Sequence, residues 1–410
     1  MIGGSTIEAE LAAIRPWADR PPAITLAERL ARIERARALM VDAGADALLV
    51  GAGLSLSYFT GIGWGMIERL VAMVLTPRGR PFIICPAFEQ GSLEAILGMD
   101  AELRLWEEHE SPSTLVAAVL REAGCSRLAI DPALPFGMAE RLRLAAPSAS
   151  ILDATPIIDG CRAIKSDAEL ALMRQAKQMT LEVQRRAARV LAPGIRASEV
   201  HRFIDQAHKA IGSAGNTFCI VQFGVSTAFP HGLPGDDVLC EGDMVLIDTG
   251  CAVQGYNSDI TRSYVFGKAD DEQRRIWDVE AEAQLAAFDA ARPGVPCAAI
   301  DAAARAVLER HGLGPDYRLP GLPHRTGHGI GMAIHEAPYL VRGDDTPLAP
   351  GMCFSNEPMI VVPGQFGIRL EDHFHVAEMG ARWFTDPSPS IDQPFAPEAT
   401  STPARLQATP

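Results

Sequence analysis

Two kinds of apolar spacing alternate along the first third of the chain. Ala47 to Val50, Leu70 to Leu75 and Pro81 to Cys85 are short, nearly continuous apolar runs, the texture of strands buried on both faces. Helical spacing occupies the segments near Ser92 to Ile96 and from Pro112 to Ala123. Thr25-Leu26-Ala27-Glu28 has the form of a capping box, in which the hydroxyl accepts from a first-turn amide and the glutamate reaches back. A helix is therefore predicted from there to about Val41. Strands alternating with helices predict an α/β domain.

A second capping box, Ser166-Asp167-Ala168-Glu169, opens a long helix to about Val190. With a connecting segment ahead of it, this places a domain boundary near residue 155, giving domains over 1–155 and 156–385. Within the second domain the pattern echoes itself. A helix ends at Pro193-Gly194 and another begins near Ala197; a helix ends at Pro293-Gly294 and another begins near Ala298. Strands follow in each half, so a pseudo-twofold fold with a site assembled between repeats is expected. From 386 to 410 the composition turns to Pro, Ser, Thr and Ala, which predicts an irregular or disordered arm.

Size and charge narrow the function. The 410 residues exceed the roughly 100–200 of one domain. A net charge of −14, with only four lysines and no basic cluster, argues against nucleic acid or anionic membrane as partner. The eight cysteines form no CxxC pair and are expected as reduced thiols. The first residues lack a signal-peptide pattern and no run approaches 18 apolar residues, so a soluble, cytoplasmic protein is expected. Gly51-Ala52-Gly53 follows a strand but lacks the third glycine of GxGxxG and the later acid, which removes a nucleotide site.

The chemistry lies in four segments of the C-terminal half. Met244 to Asp248 is a buried strand ending in an aspartate, which Thr249-Gly250 is expected to break, and the chain re-enters a strand at Asp259-Ile260-Thr261-Arg262. A hairpin can thus bring Asp248 and Asp259 to one point, where two carboxylates repel unless a cation lies between them. His324-Arg325-Thr326-Gly327-His328-Gly329-Ile330-Gly331 leads to His335-Glu336. Its glycines oppose a helical zinc pair and HEAPY lacks the second histidine of HExxH, so a zincin is rejected. Phe354 to Pro358 and Ile368 to Asp372, joined by Pro363-Gly364, carry Glu357 and Glu371 on a second hairpin. Four carboxylates and the His328 imidazole form a hard, oxygen-rich set suited to two divalent ions, Mn²⁺, Co²⁺ or Fe²⁺ at least as well as Zn²⁺.

The runs LIDTGCAVQGYNSDITRSY, HRTGHGIGMAIHEAP and SNEPMIVVPGQFGIRLED resemble the signature segments of the pita-bread metallopeptidases, the family of methionine aminopeptidase, aminopeptidase P, prolidase and creatinase. SLSYFTG and RAIKSDAE resemble the N-terminal domain and linker of the creatinase and prolidase branch, the likeness spanning about residues 25 to 380. It implies an α+β fold: a C-terminal pita-bread catalytic domain with pseudo-twofold symmetry and an N-terminal α/β creatinase-like domain. It also implies Asp248 on one metal, Asp259 and Glu371 bridging, and His328 with Glu357 on the other, with Mn²⁺ as the foremost metal. A hydroxide between the metals would attack, Glu357 relaying its proton, with His231 and His335 near the substrate. Arg369 would orient an acid or touch substrate. The activity implied is that of an Xaa-Pro dipeptidase, with aminopeptidase P as the alternative, acting on small peptides as a homodimer. Many such dipeptidases place a carboxylate-gripping arginine directly after HExP; Tyr339 stands there and Arg342 follows three residues later. Lyases that resemble this scaffold carry an acid two residues after the first aspartate, where this chain has Gly250.

Overall fold

The computed structural model describes residues 2–396, so most of the expected C-terminal arm lies outside the described residues. These divide into two compact units: Pro22–Glu169 with Gly331–Ala337, and the remainder.

The N-terminal unit is built on a six-stranded sheet in the order Glu102–Trp106, Phe82–Pro86, Ala72–Leu75, Ala47–Gly51, Arg127–Ile130, Ser150–Asp153. The strand Ala47–Gly51 is buried at every position, as its unbroken apolar run requires. Leu49, Val74, Ile84 and Leu128 form its core with Val116, Leu120 and Leu142 from two covering helices. The helix Leu26–Asp42 starts where predicted, the Glu28 amide donating to the Thr25 hydroxyl at 3.2 Å. Glu28 does not close that box: its carboxylate accepts instead from the Arg32 guanidinium at 2.8 Å and the Ser166 hydroxyl at 2.6 Å. The second box is complete, with Ser166 N to Glu169 Oε2 at 2.9 Å and Glu169 N to Ser166 Oγ at 3.3 Å.

In the C-terminal unit the internal echo is a structural repeat. The Gly194 amide donates to Leu239 O at 2.8 Å and the Leu239 amide to Ile195 O at 3.0 Å; one hundred residues on, Gly294 donates to Leu348 O at 2.8 Å and Leu348 to Val295 O at 2.9 Å. After each turn comes a helix, Ala197–Ile211 and Cys297–Arg310, and then an antiparallel sheet. The first holds Ile260–Val265, Met244–Val253 and Asn216–Phe223 in that order. The second includes Gly327–Gly329, Cys353–Asn356, Asp372–Ala377 and Gly380–Trp383, with the hairpin Met359–Val362 and Phe366–Arg369 beside it. Asp386 to Ala396 has no regular element but is tied down, Arg274 pairing with Asp392 at 2.7 Å and Phe395 lying edge-on to Tyr264. All eight cysteines are free thiols, and no helix among the described residues is long and apolar enough to cross a membrane.

One ion pair lies in the core of this unit. Arg262, 1% exposed, meets Asp372, 0% exposed, through Nη2–Oδ1 at 2.8 Å and Nη1–Oδ2 at 3.2 Å, and also donates to the Glu371 and Asp386 carbonyls at 3.0 and 3.2 Å. Removing one partner leaves a buried, uncompensated charge. Asp372→Ala is expected to lower unfolding free energy by about 3–5 kcal/mol, measured by urea titration; a loss near zero would show the pair to be dispensable.

Candidate metal centre

Asp248 stands within Met244–Val253, directly opposite Thr261 of the antiparallel neighbour. The strand does not break at Thr249-Gly250 as expected; it continues to Val253. Gly250 answers a different need. A Cβ there would meet the carbonyl oxygen of Ser258 at 1.9 Å, so only glycine lets the residue before Asp259 close onto the strand. Gly327 repeats the device beside His328, where a Cβ would meet Ser355 O at 2.1 Å. Asp259 precedes Ile260–Val265, Glu357 follows Cys353–Asn356, and Glu371 sits between Phe366–Arg369 and Asp372–Ala377.

These side chains converge. His328 Nε2 lies 3.3 Å from Glu357 Oε1 and 3.7 Å from Asp259 Oδ2, and one ligand atom each of His328, Glu357 and Glu371 falls within 4.8 Å of the others. Most are pinned by one atom and present another. Asp248 Oδ2 accepts from Arg369 Nη2 at 2.6 Å while Oδ1 has no partner. Glu371 Oε2 accepts from the Thr261 hydroxyl at 2.8 Å while Oε1 has none. His328 Nδ1 lies 3.0 Å from Gly329 O, a carbonyl that can only accept, so Nδ1 carries the hydrogen and Nε2 turns its lone pair to the carboxylates. Asp259 Oδ1 is also buried without a partner.

The electrostatics follow. Burial first, then the charges of Glu371, Asp248 and Glu357, push the Asp259 carboxyl well above the usual carboxylate range. Burial and the neighbouring carboxylates raise Glu371 likewise. Glu357 is raised by burial to about 7, the Arg369 and Arg325 guanidiniums opposing the rise. Buried acceptor oxygens without donors, around an imidazole lone pair, are the donor set of a divalent cation, and the residues fit one.

Two glutamines hold the backbone that carries these ligands. Gln184 Nε2 donates to Ile247 O at 2.9 Å and Ile260 O at 2.7 Å, the neighbours of Asp248 and Asp259. Gln284 Nε2 donates to Leu370 O at 3.0 Å and Asn356 O at 3.3 Å, the neighbours of Glu371 and Glu357. The two stand one hundred positions apart, each clamping the ligand strands of its own half. Sequence reasoning missed both, although the echo of the halves pointed to equivalent positions. It also missed Thr261 and His373.

The remaining predicted residues are placed as follows. Arg369 is buried and bonds Asp248, with Nε reaching Thr261 Oγ1 at 3.1 Å. His231 is exposed on a turn beside a cavity of about 400 Å³ lined by Cys219, Gln222, Ser226 and Leu233. His335 is exposed, in the segment that groups with the N-terminal unit. Tyr339 is half-buried, with the Arg325 guanidinium 4.5 Å from its ring centre. Arg342 is exposed and paired with Asp316.

A fold of two such units, with this acid and imidazole cluster in the second, defines a metal-dependent hydrolase. The chain belongs to metallopeptidase family M24, whose pattern matches residues 171–378, and residues 32–164 match the creatinase/prolidase N-terminal domain. It is 37% identical to the probable dipeptidase PepE of Mycobacterium tuberculosis over 85% of this chain and 92% of that one. It is 31% identical to the Xaa-Pro dipeptidase of Lactobacillus helveticus over 86% of this chain and 96% of that one. The crystal structure of dipeptidase PepE from Mycobacterium ulcerans superposes with a TM-score of 0.83 at 35% identity, covering 89% of this chain and 97% of that one.

Carboxyl groups raised in the folded, metal-free protein favour it below their unfolded pKa of roughly 4, a contribution lost as pH rises through the folded value, about 7 for Glu357. A cation must displace these protons. Mn²⁺ affinity is therefore expected to rise as pH passes through about 7, with proton release on binding, read by calorimetry in buffers of different ionisation enthalpy. Binding indifferent to pH and buffer would contradict these protonation states.

Proposed function

We propose that the protein is an exopeptidase that hydrolyses the Xaa-Pro bond of dipeptides using two divalent metal ions, Mn²⁺ foremost. The observation that carries this is the buried convergence of Asp248, Asp259, His328, Glu357 and Glu371 with unpartnered oxygens facing inward. Relatives named dipeptidase and Xaa-Pro dipeptidase, alike over most of both chains, support the substrate class. Asp248 would serve one ion, His328 and Glu357 the other, with Asp259 and Glu371 shared. The ions would supply Lewis acidity and make water a nucleophile near neutral pH.

The chain's own groups account for the rest. Glu357, poised at about 7, can take a proton and return it near neutrality. Arg369 holds Asp248 by one oxygen and so fixes which oxygen it presents. His231 and His335 are exposed imidazoles that can donate to a developing oxyanion and to the leaving nitrogen. For the peptide carboxylate, Arg325 is the better placed arginine: its guanidinium lies over the Tyr339 ring and its charge is felt at Glu357, whereas Arg342 is committed to Asp316 at the surface. A guanidinium seated over an aromatic ring keeps N–H donors for a carboxylate. The lyase alternative needs an acid at position 250, where even a Cβ collides with Ser258 O at 1.9 Å.

Hydrolysis of Ala-Pro is expected to exceed that of Ala-Pro-Ala; the reverse preference would make the protein an aminopeptidase P. Asp259→Ala or Glu371→Ala should abolish both metal retention and turnover, by elemental analysis and assay, because each is shared. His231→Ala should keep its metal but lose about 10²–10³ in kcat; loss of metal with it would remove His231 from the substrate role.

A further inference from the structure

A second fully buried imidazole, besides His328, lies against the carboxylates. His373 is 0% exposed, and neither ring nitrogen has a hydrogen-bond partner. It stands two residues after Glu371, hence on the same face of the chain, and opposite Ser355, whose hydroxyl touches Glu357 and the His328 amide. Its Nε2 lies 3.9 Å from Glu371 Oε1, and one ligand atom each of Asp259, Glu371 and His373 falls within 4.8 Å of the others. The intervening residue, Asp372, is turned away into its pair with Arg262.

A buried imidazole with two unpartnered nitrogens costs stability unless something occupies a lone pair. Packing does not call for it, since an apolar side chain of similar volume would fill the space without stranding polar atoms. What faces it are acceptors: the partnerless Glu371 Oε1 and a carboxylate oxygen of Asp259, which cannot donate to its lone pair when ionised. A divalent cation satisfies all of them together. Ligand atoms 3.9 Å apart suit a common ion bound at about 2.0–2.2 Å by nitrogen and oxygen.

We propose that His373 is a ligand of the metal centre and would bring a nitrogen donor to an ion held by Asp259 and Glu371. This rests on the metal-dependent reading above. The first half would then supply carboxylates alone, Asp248 and Asp259, and the second half both imidazoles, His328 and His373. A second imidazole moves the centre's preference away from ions that take oxygen alone and toward those later in the divalent series.

The test uses the full chain loaded with Mn²⁺, with pulsed electron paramagnetic resonance to detect imidazole nitrogen coupled to the ion. In His328→Asn, a nitrogen coupling is expected to persist on the remaining bound ion; in His373→Leu, coupling is expected only from His328. Titration of metal-free His373→Leu with Mn²⁺ should show one equivalent bound at least tenfold more weakly and the other unchanged. Its metal-free melting temperature should not fall, since the substitution removes two stranded nitrogens, whereas a purely structural histidine would lower it. Nitrogen coupling lost altogether in His328→Asn, or isotherms of wild type and His373→Leu that superimpose, would overturn the assignment. A wild-type protein that binds no Mn²⁺, Co²⁺, Fe²⁺ or Zn²⁺ would overturn the metal reading itself, and is told apart by the absence of any isotherm.

Discussion

Asp248, Asp259, Glu357 and Glu371 repel one another in a pocket that has taken them largely out of water. Left alone, such a set protonates, and the upward shifts of Asp259, Glu357 and Glu371 are that response. Arg369 offsets part of the repulsion, and although burial disfavours its charge, Asp248 and the other carboxylates keep the guanidinium firmly protonated. Arg369, with Arg325 acting on Glu357, cannot balance four acids. The surrounding structure is what prevents these side chains from relaxing apart.

That restraint acts on the backbone, and it is applied twice. Gln184 and Gln284 each tie together the two chain segments that bear a half's ligands, through carbonyls adjacent to the acids themselves. An amide NH₂ has two donors and carries no charge, so it can link two carbonyls beside an anionic cluster without neutralising a ligand. A lysine there would compete with the metal for the carboxylates. Beneath the second half, Gln284 also lies 3.3 Å from Asp372 Oδ2, joining the clamp to the Arg262 ion pair. The close approaches at Gly250 and Gly327 complete the restraint by letting Ser258 and Ser355 carbonyls pass where any side chain would stand.

Much of this was readable from the chain, for identifiable reasons. Acids flanked by apolar strand residues and glycines stand out because burial of a lone carboxylate is costly, so Asp248, Asp259, Glu357 and Glu371 could be singled out as candidates. The helix following Ser166 and the two Pro-Gly turns were legible because capping and turn chemistry is local. Glu28 was misread since the same carboxylate had a better partner in Arg32, a competition no local rule contains. Gly250 was read as a strand breaker because its collision partner, Ser258, acts through space. Gln184, Gln284 and Thr261 passed unnoticed: each works by one hydrogen-bonding group whose target is chosen only by the tertiary fold.

The pattern of committed and uncommitted atoms also bears on how selective such a centre is. Asp248 has surrendered Oδ2 to Arg369 and Glu371 has surrendered Oε2 to Thr261, so each presents chiefly one oxygen inward. A carboxylate confined in this way offers fewer donors than its formula suggests, which works against large ions that need six to eight oxygens. His328, oriented through Gly329 O, adds a nitrogen that hard, strongly hydrated ions value little. Selection against Ca²⁺ and Mg²⁺ at such a centre would therefore not depend on the identity of the five candidate ligands alone. It would depend on Arg369, Thr261 and Gly329, which decide how many atoms those side chains have left to give.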